Sequence, residues 1–489
     1  MPFDRVRTRF APSPTGFMHI GNLRTALYEY LVAKSQGGDF ILRIEDTDRE
    51  RLVEGAEEKI YKALEAVGMQ HDEGPDIGGP CGPYVQSERL DSYARYAEKL
   101  VEEGHAYYCF CSEERLQKLH EKQKAEGSDF IGYDRKCRDL PPEEVKKRLE
   151  AGEPHVIRQK MPLTGVTSYE DAVFGKIEFE NKTLEDQILL KSDGYPTYNF
   201  ANVVDDHDMA ISHVVRGSEY LSSTPKYVLL YEAFGYEVPT FIHLPLILGK
   251  DGKKLSKRMG ATSFEELVEE GFLPEAITNY LALLGWAPKD TRELFTLDEL
   301  CRHFSIDGLA KAPAVFDPDK LLWFNEQYLR NFSREEFTER ALPYYREVLP
   351  EISEETALFL SELIQKRTSK LNEIPEKIQF LADYPDFDLQ YFVHKKSKST
   401  LELSAEVLED FIEIFKDCPW EREKLTETMK DYAKEHELKN GQVMWPVRIA
   451  ASGQKVTPGG ASEVLILLGK EESLRRLAKS LKRLKEETE

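Results

Sequence analysis

No long apolar run occurs in this sequence. Among its 489 residues nothing approaches the roughly 18 consecutive apolar positions that a bilayer-crossing helix requires. The late stretch Val464-Leu-Ile-Leu-Leu468 is far too short. Met1 to Arg9 alternates charged and apolar residues and lacks the apolar centre of an export signal. No membrane partner is expected, and the chain is expected to stay in the cytoplasm. Cysteine is scarce: six residues in a chain of this length do not make a disulfide framework. Cys81, Cys301 and Cys418 are isolated and read as ordinary small apolar residues. Positive charge is also in deficit, with 66 Lys and Arg against 88 Asp and Glu and a formal net charge of −22. Taken alone this argues against a nucleic-acid partner, because phosphate backbones are held by Lys and Arg. Binding uses local patches rather than the global sum, so RNA is not excluded. No GxxxxGK[ST] phosphate loop is present, which disfavours an ordinary P-loop ATPase. Internal repeats and low-complexity linkers are absent as well.

What remains suits a folded protein of several domains. The hydrophobic share is 41% and the charged share 31%, and a chain this long exceeds one compact core, so two to four domains are expected. Arg5 to Phe10 is a short β-like run, followed by a loop rich in Pro, Ser and Gly. A helix follows with Leu23, Leu27, Tyr30 and Leu31 on one face and Gly37-Gly38 as its stop. Phe40 to Ile44 reads as a second strand ending in the turn Glu45-Asp46-Thr47-Asp48, and Ile60, Leu64 and Val67 mark another helix ending at Gly68. Strand alternating with helix is the grammar of a parallel, doubly wound sheet. That grammar loosens between about Cys81 and Asp193, as for an inserted domain, and resumes from Tyr195 to about Leu248. After Phe264 the chain is mostly helical, with starts at Ser333-Arg-Glu-Glu and Ser353-Glu-Glu-Thr. The basic final segment with Leu474, Leu477, Leu481 and Leu484 reads as an amphipathic helix rather than an RNA-binding tail.

Two segments carry the strongest chemistry. In Arg9-Phe-Ala-Pro-Ser-Pro-Thr-Gly16, followed by His19-Ile-Gly-Asn-Leu-Arg24, a strand ends, Gly16 lets the backbone turn closely, and His19 stands at the mouth of the next helix. Unsatisfied N–H groups and the helix dipole make that mouth a natural phosphate site. An imidazole there can donate to a phosphate oxygen as negative charge builds on it. Far along the chain, Gly249-Lys-Asp-Gly-Lys-Lys254-Leu-Ser-Lys257-Arg258 is a glycine-hinged loop whose cations can close over a triphosphate.

Together, His19-Ile20-Gly21-Asn22 and Lys254-Leu255-Ser256-Lys257-Arg258 resemble the HIGH and KMSKS signatures of class I aminoacyl-tRNA synthetases. Asn at the fourth position of the first signature is a departure common in the glutamyl branch of that family. The resemblance implies a Rossmann-like α/β catalytic domain (1–86 plus 200–248) interrupted by an acceptor-end domain (87–199). A signature-loop and stem-contact region (249–330) and a mainly α-helical anticodon-binding region (331–489) would follow. It also implies ATP with Mg2+, held by Gly16, His19, Gly21, Glu219, Lys254 and Lys257, with His19, Lys254 and Lys257 in catalytic roles. Arg9, Ala11, Ser13, Glu45, Tyr198, Asn202 and Arg216 would line a pocket for L-glutamate, Glu45 holding its ammonium. The implied reaction has two steps, a carboxylate attacking the α-phosphate of ATP and the acyl group then passing to the 3′ end of tRNA(Glu). Glutaminyl relatives share much of this pattern. Two arginines tilt the choice to the charged acid, since an arginine fork matches a carboxylate and an unpaired buried one is costly.

Cys109-Phe-Cys111, Tyr133 and Cys137 resemble the Zn2+ motif of some family members. Three cysteines are one short of the usual four ligands; by analogy Tyr133 supplies the fourth, with His105 and His120 as alternatives. Arg367 falls where the family reads an anticodon base, although a solvent-facing helical arginine fits the same sequence. The resemblance implies a monomer. A relative that glutamylates a modified tRNA base would lack the C-terminal helical regions, and a silent RNA-binding relative would have no need of His19, Lys254 and Lys257.

Overall fold

The computed structural model describes residues 5–128, 131–253, 255 and 263–488. It divides into two compact units, Met1–Leu267 with Pro274–Pro318, and Val268–Leu273 with Asp319–Glu489.

The first unit opens with β1 (Arg7–Phe10), α1 (Ile20–Lys34), β2 (Asp39–Leu42), α2 (Ala56–Ala66) and α3 (Leu90–Glu102). Next come β3 (Ala106–Cys109), α4 (Glu113–Ala125), α5 (Pro142–Glu150), β4 (Val156–Gln159), β5 (Val166–Asp171), β6 (Gly175–Glu180) and β7 (Ile188–Leu190). The chain continues through α6 (Tyr198–Asp208), β8 (His213–Gly217), α7 (Thr224–Phe234), β9 (Thr240–Leu244) and β10 (Ile247–Leu248). After α8 (Phe264–Glu269), the elements α9 (Pro274–Leu283), α10 (Leu297–His303) and β11 (Ala314–Val315) follow.

β1 pairs with β2 in parallel through α1, and β8 with β9 in parallel through α7, the crossovers that parallel pairing requires. Ser212, just before β8, joins the two ladders: its N–H donates to Arg7 O at 3.0 Å, and the Arg7 N–H donates to its hydroxyl at 2.8 Å. α1 is more deeply sunk than one apolar face requires. Tyr28 and Arg24 are buried along with Leu23, Leu27 and Leu31, because α9 and α10 cover the side of the helix away from the strands, and Glu29 is buried on the strand side against Arg9.

The segment expected as an insertion is built into this unit. β5 forms a hairpin with β6 and also pairs with β9 at Asp171 and Phe241, giving a mixed sheet ordered β6-β5-β9-β8. Tyr93, Ala106, Ile157, Tyr169 and Leu189 share one core with Ile41, Phe200, Val214 and Phe241. A separate antiparallel sheet, β3-β4-β7, carries the cysteine segment.

The second unit holds α11 (Pro318–Asn331), α12 (Arg334–Val348), α13 (Glu354–Ile364), α14 (Ile374–Ala382), α15 (Leu401–Asp417), α16 (Arg422–Glu435), α17 (Asn440–Ser452), α18 (Ala461–Leu468) and α19 (Lys470–Thr488). Ser333 forms a reciprocal capping box with Glu336, whereas Ser353 caps with its hydroxyl alone because Thr356 stands at the third helical position. α19 is amphipathic as read: Leu477 and Leu484 are buried against Phe411, Phe415 and Val447. Arg476 is buried too, donating to Phe380 O and Ala451 O, so one of this helix's cations is structural.

Candidate nucleotide and amino-acid site

Ligands of open parallel sheets bind beyond the carboxyl ends of the strands, and a cavity lies there. It has a volume of about 900 Å3, and Arg9, Ala11, Ser13, His19, Gly21, Glu45, Tyr198, Arg216 and Glu219 line it. Gly16 and Asn202 stand outside its wall. Gly16 sits in the preceding loop with φ of 132°, a backbone shape that side chains disfavour. Asn202 is buried on α6 and turns its amide back to Tyr198 O at 2.9 Å.

His19 is the N-cap of α1. Its Nδ1 accepts from the Gly21 N–H at 3.0 Å, so the neutral ring carries its proton on Nε2. A Cβ at position 21 would approach that Nδ1 to 3.2 Å, which makes glycine the residue that lets the imidazole fold over the helix start. Arg24, one turn on, also lines the cavity and donates to Leu284 O and Pro245 O, tying α1 to the strand-end segment before β10. Lys254 and Lys257 lie outside the described residues. Leu255 between them lines the cavity, and Ser263 forms a β-bridge with His19.

Beneath the cavity floor lies a buried charge network that sequence reading missed. Arg9 donates to Asp206 at 3.0 Å and to Glu29 at 3.1 Å; Arg43 donates to the same Asp206 oxygen at 2.8 Å and to Glu45 at 3.1 Å. Burial alone would raise the Asp206 carboxyl, but Arg9 and Arg43 together hold it below the usual range. Glu29 has one oxygen without a hydrogen-bond partner, and burial pushes its carboxyl well up. Glu45 is pushed up to about 7 by burial, against the pull of Arg43 and Arg9. The sequence signal available was acids on an otherwise buried helix face, since Asp205 and Asp206 follow Val203-Val204 and buried carboxylates demand partners. In the neighbouring acidic turn, Asp46 accepts from the Ser87 N–H at 2.8 Å, a structural task, while Asp48 reaches the cavity wall.

Arg216 differs from Arg9. It is buried, its guanidinium stacks 4.4 Å from the centre of the Tyr227 ring, and among the described residues it has no carboxylate partner. Its contacts are neutral: Nε donates to His243 Nε2 at 3.2 Å and Nη2 to the Thr224 hydroxyl at 2.8 Å.

The cysteine segment forms a second, compact constellation. The sulfurs of Cys109, Cys111 and Cys137 lie within 4.8 Å of one another, Cys111 and Cys137 being 3.5 Å apart. The Tyr133 hydroxyl stands 3.3 Å from Cys109 Sγ and 3.6 Å from Cys111 Sγ, and accepts from the Cys137 N–H at 2.9 Å. Tetrahedral zinc with Zn–S near 2.3 Å spaces its donors by roughly 3.8 Å, so three sulfurs and one oxygen at these separations fit the ion. Among the described residues neither His105 nor His120 joins the group.

In the helical unit Arg367 lies in a 3-10 turn after α13, not within a regular helix. It is exposed and donates to Pro458 O at 3.1 Å.

Comparison with known proteins covers nearly the whole chain. The family described as tRNA synthetases class I (E and Q), catalytic domain, matches residues 5–323, and the family described as anticodon binding domain matches residues 336–481. A glutamate–tRNA ligase of Clostridium kluyveri is 52% identical over 485 residues, 99% of each chain. One from Clostridium botulinum is 54% identical over 483 residues, again 99% of each. Among solved structures, a glutamate tRNA ligase from Elizabethkingia meningosepticum in complex with its amino acid gives a TM-score of 0.89 at 41% identity, over 98% of this chain and 100% of that one. A glutamate-tRNA synthetase from Elizabethkingia anophelis gives 0.88 at 40%. Likeness of this extent, in catalytic and anticodon-binding portions alike, means that the chain belongs to the class I tRNA synthetases of the E and Q group, on the glutamate–tRNA ligase branch.

Proposed function

We propose that this chain activates L-glutamate with ATP, releasing pyrophosphate, and then transfers the glutamyl group to the 3′ end of tRNA(Glu). The observation that carries the reading is one cavity lined both by the His19-capped start of α1 and by Arg216, a buried cation without an acidic partner among the described residues. The α1 end offers N–H groups and an imidazole to the phosphates. Glu219 would face the nucleotide, and Mg2+ would enter with the triphosphate and offset its charge. The Arg216 end offers a fork to the side-chain carboxylate, and Glu45 an anion to the ammonium. Nothing in either step needs a protein nucleophile. Catalysis is positioning together with stabilisation of charge on the phosphates, to which Lys254 and Lys257 would add their cations. Aminoacylation of tRNA(Glu) and tRNA(Gln) side by side tests the reading. Charging of tRNA(Glu) with glutamate is expected, and failure to charge either RNA would refute it.

Glu45 gives the site a pH dependence of known sign. Its carboxyl titrates near 7 in the folded protein, and it holds an ammonium only when ionised. The KM for glutamate is therefore expected to rise as pH falls through about 7, and Glu45→Gln to flatten that profile while raising KM throughout. For folding the sign is reversed: a raised carboxyl favours the folded state at acid pH, and that contribution is lost as pH rises through the same value.

Cys109, Cys111, Cys137 and Tyr133 would hold zinc, which would clamp the segment between β3 and β4 as a structural ion. Protein purified without chelator is expected to carry about one zinc per chain, and Cys137→Ser to lose it. Metal-free wild-type protein would remove zinc from the reading. Arg367 is proposed to meet an anticodon base. Its guanidinium keeps donors beyond those given to the loop at Thr457 and Pro458.

A further inference from the structure

Behind Arg216 lies a chain of buried hydrogen bonds that runs from Asp171 through His243. Asp171, at the end of β5, accepts the N–H groups of Val173 and Phe174 on one oxygen and the N–H of His243 on the other. That second oxygen lies 2.6 Å from His243 Nδ1. A carboxylate accepts, so Nδ1 carries the proton and Nε2 presents a lone pair. The lone pair accepts from Arg216 Nε at 3.2 Å. Beside it the Thr224 hydroxyl lies 2.8 Å from Tyr220 O and 3.2 Å from His243 Nε2, and whichever of these takes its proton, its oxygen accepts from Arg216 Nη2 at 2.8 Å. Asp171 and His243 are almost wholly buried, so water offers no alternative partners.

The inner edge of the guanidinium, Nε with one hydrogen of Nη2, is thus fixed. Nη1 and the second Nη2 hydrogen make up the opposite edge, which has no protein partner among the described residues, and Arg216 lines the cavity. Resting on the proposed glutamate-activating function, we propose that His243, locked by Asp171, is a positioning residue that aims the free fork of Arg216 at the substrate's side-chain carboxylate and leaves its charge unmatched. A carboxylate in direct contact with Arg216 would orient it equally well but neutralise it, and the site would lose its preference for an acid over an amide. His243 passes on the orientation without the charge. Burial, opposed by the Asp171 hydrogen bond, keeps the imidazole below its ordinary range and so neutral.

Pyrophosphate exchange in the presence of tRNA, with glutamate and ATP varied separately, tests this. His243→Asn keeps an amide against Asp171 but is too short to meet Arg216. It is expected to raise the glutamate KM about 10-fold or more, leaving kcat and the ATP KM within about 2-fold, the loss typical of one hydrogen bond to a charged group. His243→Gln, whose amide oxygen reaches the Nε2 position, is expected to restore the KM to within about 3-fold. Should His243→Asn not fold, Thr224→Val removes the second hold on Arg216 at constant shape and is expected to give the same split at about 3- to 10-fold. An unchanged glutamate KM in a folded variant, or equal damage to kcat and the ATP KM, would overturn the proposal while wild-type glutamate activation stands. Wild-type protein unable to use glutamate would instead overturn the functional reading, and the proposal with it.

Discussion

Arg216→Gln is expected to lower kcat/KM for glutamate by roughly 10²–10⁴ while leaving the ATP KM nearly unchanged, as measured by tRNA-supported pyrophosphate exchange. The magnitude follows from what the substitution leaves behind. Arg216 is buried against Tyr227 and Phe241, so a substrate carboxylate arriving without it would be desolvated with no cation to meet it. Such an orphaned buried charge costs about 3–5 kcal/mol. Glutamine, which brings no charge, should suffer far less, so the preference between the two amino acids is expected to shrink by a similar factor. Arg9 does not share this role equally, because the Asp206 carboxylate is already paired with it inside the protein. An unchanged glutamate KM in folded Arg216→Gln protein would move amino-acid recognition elsewhere.

The second large effect belongs to His19. His19→Ala is expected to lower the rate of adenylate formation by about 10²–10³, the usual loss for one donor aimed at developing charge. It also removes a helix cap, at a cost of about 1 kcal/mol. His19→Asn separates the two contributions. Asparagine caps well, so stability should return to the wild-type value in a thermal melt, yet the rate should stay low because Nε2–H is gone. Recovery of rate along with stability would make His19 a cap and nothing more.

Local chemistry was legible in the sequence and long-range pairing was not. The helix beginning at His19, its stop near Gly37 and the amphipathic α19 follow from residue type at short spacing, whereas Tyr133 was set beside Cys109, Cys111 and Cys137 by resemblance alone. The charge network does not follow from such spacing, because Arg9 and Arg43 meet Asp206 across sequence separations of 197 and 163. No local pattern announces such a meeting. The same holds for Asp171 and His243, which touch only because β5 joins β9 in one sheet. Asn202 was placed in the pocket by resemblance, yet a polar residue one helical turn after Tyr198 can also satisfy itself on that turn's carbonyl, as it does here. The division of labour between the two arginines became visible only once their partners were in place. One is neutralised within the protein, and the other is left for the ligand.

The most direct test of the central claim is glutamate-dependent exchange of labelled pyrophosphate into ATP by the purified chain, run with tRNA(Glu) present and repeated with glutamine. Robust exchange with glutamate and little with glutamine is the predicted result. No exchange with glutamate in the presence of the tRNA, or faster exchange with glutamine, would contradict it.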